Sequence, residues 1–123
     1  MSPTRYLIPL LALAMFFRPP AAPAQQPKQL YVVTYIDVYP NFADDTSKAL
    51  VQYAADCKKD AGYVRIEILQ DVARANHFSL AEVWQSRQAF DAHLNAPHTK
   101  QFRDKLGPMI GAPFDERLYN RVP

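Results

Sequence analysis

The sequence FSLAEVWQSRQAFDAHLNAPHTKQF, from Phe78 to Phe102, has the pattern of a strand followed by helix. Its first seven residues alternate as in a strand with one buried face. One face of that strand consists of Phe78, Leu80, Glu82 and Trp84. Glu82 is therefore a carboxylate within an otherwise apolar row, next to the only tryptophan of the chain. We expect this strand to run from about Asn76 to Gln85.

A helix in two pieces follows the strand. Ser86 is a suitable N-cap for a helix that ends at about Leu94. Ala89, Phe90, His93 and Leu94 share one face of this helix. Pro97 favours the first turn of a second short helix that ends at about Leu106, with Phe102 on its apolar side. This pattern predicts that the helix packs back against the strand and brings His93 close to Glu82.

The remaining elements complete a familiar order. Strands are predicted at Leu30–Val38, Val64–Gln70 and Phe114–Val122, and a helix at Asp44–Lys59. Strand, helix, strand, strand, helix, strand is the β-α-β-β-α-β order of an α+β, ferredoxin-like fold, with four antiparallel strands and helices on one face. Because the first strand is apolar on both sides, we expect its other face to be covered in a homodimer.

The first helix is predicted to bury one stripe of residues. The stripe consists of Ser47, Leu50, Val51, Ala54 and Cys57. Gly62 is predicted to stop this helix. Cys57, the only cysteine, is interpreted as a small buried side chain, because nothing basic is forced beside it.

The first 24 residues have the features of a secretory signal peptide. Arg5 precedes an apolar run over residues 7–17, and Ala22 and Ala24 form an A-x-A cleavage pattern. Eleven apolar residues are too few to span a bilayer as a helix, which needs roughly 20. We therefore expect an exported, periplasmic or secreted domain of residues 25–123, without a stable membrane anchor after cleavage. The alternative is an uncleaved N-terminal anchor.

Composition excludes several function classes. Removal of Arg5 and Arg18 leaves twelve basic and twelve acidic residues, so the domain has no net charge and no nucleic-acid partner is expected. Three glycines supply no phosphate-binding loop, and no cofactor is expected. His93 and His98 are five residues apart rather than four, without a cysteine pair or an acidic cluster, so no metal site is predicted.

The chain resembles the antibiotic biosynthesis monooxygenase (ABM) domain family. The resemblance rests on DAGYVRIEILQD, on the F-x-L-x-E-x-W strand with its following histidines, and on GAPFDERLYNRV. Gly62, His93, His98 and Phe102 match residues that members typically have. It covers about residues 29–122, and it implies a dimeric α+β barrel with a pocket between sheet and helices in each subunit.

The candidate site follows from these residues. We expect His93 to be a proton acceptor or hydrogen-bond donor and Glu82 to support it. The alternative is a buried Glu–His or Glu–Arg link that only fixes the helix on the sheet. The expected substrate pocket consists of Trp84, Phe90, Phe102, His98 and Tyr35. The alternative for Trp84 is simple core packing.

The resemblance implies a cofactor-independent monooxygenase that uses molecular oxygen on a small aromatic or hydroquinone-type substrate. A haem-degrading monooxygenase is the first alternative, based on Trp84 and His93, but the first strand lacks the asparagine of such enzymes. The second alternative is a non-catalytic, dimeric small-molecule-binding protein of the same fold. Family resemblance alone does not choose between these functions.

Overall fold

The computed structural model describes residues 18–21 and 28–123. The expected signal peptide, residues 1–24, therefore lies outside the described residues apart from positions 18–21. Among the residues described, no helix combines the length and apolar character needed to cross a membrane.

The predicted order of elements is confirmed. The chain forms β1 (Leu30–Asp37), α1 (Ala43–Cys57), β2 (Tyr63–Gln70), β3 (His77–Trp84), α2 (Arg87–Leu94), α3 (Pro97–Leu106) and β4 (Asp115–Tyr119), with short 3₁₀ turns at Pro40–Phe42 and Gly107–Met109. The strands make one antiparallel sheet in the order β2-β3-β1-β4. This is the ferredoxin-like α+β fold.

The row along β3 is buried as predicted. Phe78, Leu80, Glu82 and Trp84 are all buried on the side of the sheet that faces the helices. Glu82 lies opposite Val32 of β1 and Ile66 of β2, near the centre of the sheet. The carboxylate therefore has apolar residues beside it on both neighbouring strands, and its burial makes ionisation costly.

The stripe predicted for α1 was correct only in part: Leu50 and Cys57 are buried, but Ser47 and Ala54 are only half-buried. Val51 is 62% exposed. The residues that α1 buries are Thr46, Ala49, Leu50, Tyr53 and Cys57. This rotation places the large ring of Tyr53 in the core, where it stacks on Phe102 with centroids 4.0 Å apart. Burying this ring removes more apolar surface from water than burying Val51 would.

Gly62 has a different role from the predicted one. Helix α1 ends at Cys57, several residues earlier, and Gly62 adopts φ +80° immediately before β2. A Cβ at this position would overlap the Cβ of Ala89 on α2. The glycine therefore lets the sheet and α2 approach closely. A bulge follows at Val64, whose side chain is exposed.

The two sides of the sheet differ. The three helices pack on one side and bury the core residues described above. The other side, which we call the outer face, consists of Tyr31, Val33 and Tyr35 of β1 with their neighbours on β2, β3 and β4. Strand β4 is shorter than predicted, since it spans Asp115–Tyr119 instead of residues 114–122.

Candidate functional site

Helix α2 brings His93 into the core. The side chain of Ser86 accepts a hydrogen bond from the Ala89 backbone at 3.1 Å, as its predicted capping role requires. This start fixes the phase of α2, so that Phe90 and His93 are its buried residues. The ring of His93 then stacks on Trp84, with centroids 4.4 Å apart and planes inclined at 28°.

Both ring nitrogens of His93 have partners. Nδ1 lies 2.7 Å from Oδ2 of Asp60, and Nε2 lies 2.7 Å from the hydroxyl of Tyr53. Because a carboxylate only accepts, Nδ1 donates to Asp60 and Nε2 accepts from Tyr53. These three side chains form a hydrogen-bonded series of hydroxyl, imidazole and carboxylate, which we call the relay; it resembles the nucleophile–base–orienter arrangement of hydrolytic triads.

The electrostatics favour the neutral forms of His93 and Tyr53. Burial lowers the pKa of His93, although Asp60 opposes this effect. The imidazole is therefore neutral near pH 7, with its Nε2 lone pair directed at Tyr53. Burial also raises the pKa of Tyr53 well above its usual range, so a free tyrosinate is disfavoured. For Tyr53 to pass its proton to His93 without becoming a tyrosinate, its hydroxyl must accept another proton at the same time.

Glu82 lies beside this relay without a hydrogen bond to it. Its Oε1 is 4.0 Å from Nε2 of His93 and lacks a hydrogen-bond partner among the described residues. Burial, followed by the charge of Glu116, raises the pKa of Glu82 to about 7. The expected His93–Glu82 proximity is present, but Asp60 rather than Glu82 orients the imidazole.

Glu82 also borders a small group of charged and polar residues. The guanidinium of Arg103 donates to Oε2 of Glu116 at 2.7 Å, and the hydroxyl of Thr34 donates to the same oxygen at 3.5 Å. Together with Glu82, these residues line a narrow space between sheet and helices of only about 10 Å³, which we call the inner cleft. That volume is enough for about one water.

A larger opening lies between α1 and α3. This outer cleft has a volume of about 160 Å³, and its lining includes Gln52, Tyr53, His98, Phe102 and Lys105. A cavity of about 150 Å³ accommodates a benzene ring. Tyr53 and Phe102 line both clefts. Their stacked rings thus separate the outer cleft from the inner one.

Four potential metal ligands meet at the edge of the relay. Cys57, Asp60, His93 and His98 each place one ligand atom within 4.8 Å of the others. His98 Nε2 lies 2.8 Å from the same Asp60 oxygen that His93 contacts. The histidine spacing alone did not predict this cluster. The end of α2 and the first turn of α3 bring the two rings together, and the segment after α1 supplies Asp60.

The structure brings together six of the seven predicted site residues. Trp84 and Phe90 pack around His93 and are fully or nearly fully buried, so they support the ring and do not border the outer cleft. Phe102 and His98 do border it. Tyr35 lies apart, on the outer face, where it is 42% exposed. The guanidinium carbon of Arg117 lies 5.2 Å from the centroid of its ring.

Tyr53 and Asp60 belong to the site but were not among the residues predicted from the sequence. Tyr53 belongs to the helical series Thr46, Ala49, Tyr53 and Cys57, which was available in the sequence as a competing stripe. Asp60 follows the end of α1 in a turn, where no periodicity applies. Only the folded chain places it next to two histidines that are 33 and 38 residues away.

Comparison with known proteins identifies the family. Residues 29–105 match the family described as "Antibiotic biosynthesis monooxygenase". The match spans more than half of the chain and contains β1 through nearly all of α3.

The chain belongs to the antibiotic biosynthesis monooxygenase family.

Solved ABM-like structures share the fold. A candidate antibiotic biosynthesis monooxygenase of Nitrosomonas europaea is 21% identical, with a TM-score of 0.74 over 79% of this chain and 93% of that one. A Pseudomonas aeruginosa protein is 19% identical, with a TM-score of 0.73 over 80% and 98%. A Mycobacterium tuberculosis protein is 17% identical, with a TM-score of 0.73 over 78% and 97%. At these identities the likeness establishes the ABM fold alone.

A protein with a similar sequence is itself uncharacterised, so it indicates no activity for this chain. An uncharacterised protein of Synechocystis is 22% identical over 90 residues, which cover 73% of this chain. The matched region spans 61% of that relative's length. The chemistry of this ABM protein must therefore be argued from its own side chains.

Proposed function

We propose that this protein is a cofactor-independent monooxygenase that acts on a small hydroquinone-type aromatic. The observation on which the proposal rests is the buried Tyr53–His93–Asp60 relay, whose outer member borders a cleft of about 160 Å³. The family name supports the reaction class. The cleft volume supports a substrate of one aromatic ring.

In the proposed first step, the relay deprotonates the substrate. The Tyr53 hydroxyl takes the phenolic proton while it passes its own to Nε2 of His93, and Asp60 stabilises the resulting imidazolium. This exchange avoids a free tyrosinate, which burial disfavours. Lys105, which also lines the cleft, is a suitable partner for the phenolate that forms.

The deprotonated substrate is itself the reductant. One hydroquinone and one dioxygen give one hydroxyquinone and one water, with all four electrons supplied by the substrate. One oxygen atom forms the new C–O bond, and the other leaves as water with two protons from the substrate. The protein contributes a base, a cation and an aromatic wall, Phe102, for the reacting ring.

Roles within the predicted site change accordingly. His93 remains the base, but it acts through Tyr53 because its own nitrogens are both hydrogen-bonded. Glu82 is a positioning residue whose buried carboxyl faces His93 at 4.0 Å. Phe102 is a pocket wall between the two clefts. His98 lies at the cleft margin, where it also contacts Asp60.

The geometry does not favour haem degradation. A haem-iron ligand needs an imidazole nitrogen directed into a large cavity, whereas both nitrogens of His93 are engaged and the ring is buried against Trp84. The outer cleft of about 160 Å³ is also smaller than pockets for drug-sized ligands, which measure roughly 300 Å³ or more.

One observation favours binding without turnover as a second candidate. The inner cleft beside Glu82 holds only about 10 Å³, so a ring cannot enter it while Tyr53 and Phe102 remain stacked. A protein of this kind would bind a small aromatic in the outer cleft and consume no oxygen. Isothermal titration together with oxygen measurement separates the two candidates.

The expected export and homodimer extend the proposal. We infer that the mature domain works outside the cytoplasm, as a periplasmic or secreted protein, on the basis of the signal-like N-terminal sequence. We also infer a homodimer through the outer face, where Tyr35 and Tyr119 are exposed. N-terminal sequencing of the exported protein tests the cleavage site at Ala24.

The decisive test of the proposed activity is oxygen uptake by the purified mature protein with a panel of hydroquinones. We expect equimolar consumption of oxygen and substrate without hydrogen peroxide. Peroxide release would mean simple quinol oxidation. No protein-dependent uptake, in the presence of measurable binding, would favour the second candidate.

A further inference from the structure

We propose that Cys57, Asp60, His93 and His98 form a binding site for one divalent metal ion of the zinc class. These four residues place a thiol, a carboxylate and two imidazoles within 4.8 Å of one another. All three ligand types are usual for Zn²⁺, and four ligands satisfy its preferred tetrahedral geometry. The proposal goes beyond the monooxygenase function and does not depend on it.

The present distances are close to those of a coordinated ion. Asp60 Oδ2 lies 2.7 Å from His93 Nδ1 and 2.8 Å from His98 Nε2. Metal–ligand bonds of about 2.0–2.1 Å at tetrahedral angles separate two such ligand atoms by about 3.3 Å. Small outward movements of the three side chains, with an approach of the Cys57 sulfur, therefore suffice to admit an ion.

Metal binding changes the protonation of three of the ligands. The Cys57 thiol loses its proton to solvent on binding, since the thiolate is the ligand. His93 moves its proton from Nδ1 to Nε2 and remains neutral. His98 likewise moves its proton, from Nε2 to Nδ1, and then coordinates through Nε2. Binding thus releases one proton for each ion.

A supporting shell already surrounds the four ligands. The Tyr53 hydroxyl lies 2.7 Å from His93 Nε2, and its oxygen can accept a hydrogen bond from the relocated N–H. The Thr99 hydroxyl donates to the His93 carbonyl at 2.7 Å and so fixes the end of α2. Trp84 stacks on the imidazole from one side. Such contacts orient ligands and strengthen metal binding.

Solvent reaches this cluster from one direction. The side chain of His98 is 23% exposed and that of Asp60 15% exposed, whereas His93 and Cys57 are buried. His98 also lines the outer cleft, together with Asp56. An ion can therefore arrive through the cleft and meet His98 and Asp60 before the two inner ligands.

Occupancy would affect the proton relay. This consequence rests on the proposed function. In the metal-bound form, His93 Nε2 carries a proton and donates to Tyr53, so it cannot accept the Tyr53 proton. The ion would inhibit the relay at this site.

The test is a titration of the metal-free mature protein with Co²⁺, a spectroscopic substitute for Zn²⁺. We expect one Co²⁺ per chain, a sulfur-to-cobalt charge-transfer band and tetrahedral d–d bands. C57S should lose the charge-transfer band, and H98A should bind at least tenfold more weakly. H77A is the matched control, because His77 pairs with Asp37 outside the cluster.

These readouts measure binding directly, so their failure is distinct from failure of the monooxygenase activity. Circular dichroism and Zn²⁺-dependent thermal stabilisation of each variant separate loss of a ligand from loss of the fold. The proposal is overturned if the wild type gives no cobalt–thiolate band. It is equally overturned if H98A binds Co²⁺ as tightly as the wild type and the control H77A do.

Discussion

The hydroxyl of Tyr53 and Nε2 of His93 lie 2.7 Å apart, in a buried hydrogen bond that joins α1 to α2. Forty residues separate the two side chains in the sequence. Asp60 completes the arrangement from the other side of the imidazole. A histidine that packs against the only tryptophan thus has its tautomer, its orientation and its proton donor all defined by the fold.

Substitution Y53F should remove the outer member of the relay. We expect turnover to fall about 10²-fold, as is typical for loss of general acid–base assistance. Unfolding free energy should fall by only about 1–3 kcal/mol, since Nε2 of His93 loses its partner while the ring packing remains. Oxygen uptake and urea denaturation measure the two effects.

The matched control for Y53F is Y35F on the outer face, where Tyr35 is 42% exposed. It should retain full turnover. If Y53F is as active as Y35F, the relay does not deprotonate the substrate through Tyr53.

Glu82 should make stability depend on pH. Its pKa rises from an ordinary 4.5 to about 7 in the folded protein, so the folded state binds more protons across this interval. Unfolding free energy should therefore fall as pH rises from 4.5 to 7, by up to about 3 kcal/mol at about 1.4 kcal/mol per pH unit. The charged or titratable neighbours are Glu116, Arg103, His93, Tyr53 and Cys57.

The variant E82Q isolates this contribution. His93, whose pKa is lowered, acts in the opposite direction, because its contribution is lost as pH falls below its ordinary 6.5. The difference between wild type and E82Q in urea denaturation, measured at several pH values, removes the His93 effect. Parallel pH profiles for the two proteins would show that Glu82 does not titrate in this range.

Substitution G62A should be strongly destabilising. An added Cβ meets both an unfavourable φ of +80° and the side chain of Ala89. We expect a loss of about 2–5 kcal/mol, from backbone strain and overpacking together. Thermal denaturation should show a decrease in Tm of roughly 4–8 °C per kcal/mol.

Gly107 provides the comparison for G62A. Nothing lies within 4 Å of a Cβ added there, so G107A should leave Tm nearly unchanged. Equal Tm values for the two variants would contradict the close approach of α2 to the start of β2.

The outer face should mediate dimerisation. Val33 lies near its centre, opposite Ala81 and Arg117 on the neighbouring strands. In sedimentation velocity, the wild type should be a dimer and V33D a monomer, because a buried carboxylate opposes association. V72D carries the same change at a fully exposed loop position and should remain dimeric. A monomeric wild type, or a dimeric V33D, would contradict this interface.

Much of the fold could be predicted because local patterns agree with it. The alternation from Phe78 to Trp84, the Ser86 cap and the position of Pro97 each fix one element, and all three are confirmed. The short-range periodicity of α2 also predicted that His93 faces Glu82, and the two side chains lie 4.0 Å apart.

The relay itself could not be derived in this way. Asp60 belongs to a turn without periodicity, and its proximity to two histidines results from the packing of α1 against α3. Tyr53 was missed because two overlapping stripes on α1 have similar apolar content. Stacking on Phe102 in the folded protein decides between them.

The proposed activity is insertion of oxygen into an aromatic substrate by means of the Tyr53–His93–Asp60 relay. It can be tested by ¹⁸O₂ incubation of the wild type and H93Q with a reactive hydroquinone, followed by mass spectrometry of the product. We predict one ¹⁸O atom in the wild-type hydroxyquinone and at least about 10²-fold less product with H93Q. A product without ¹⁸O, or equal yields from the two proteins, would contradict the claim.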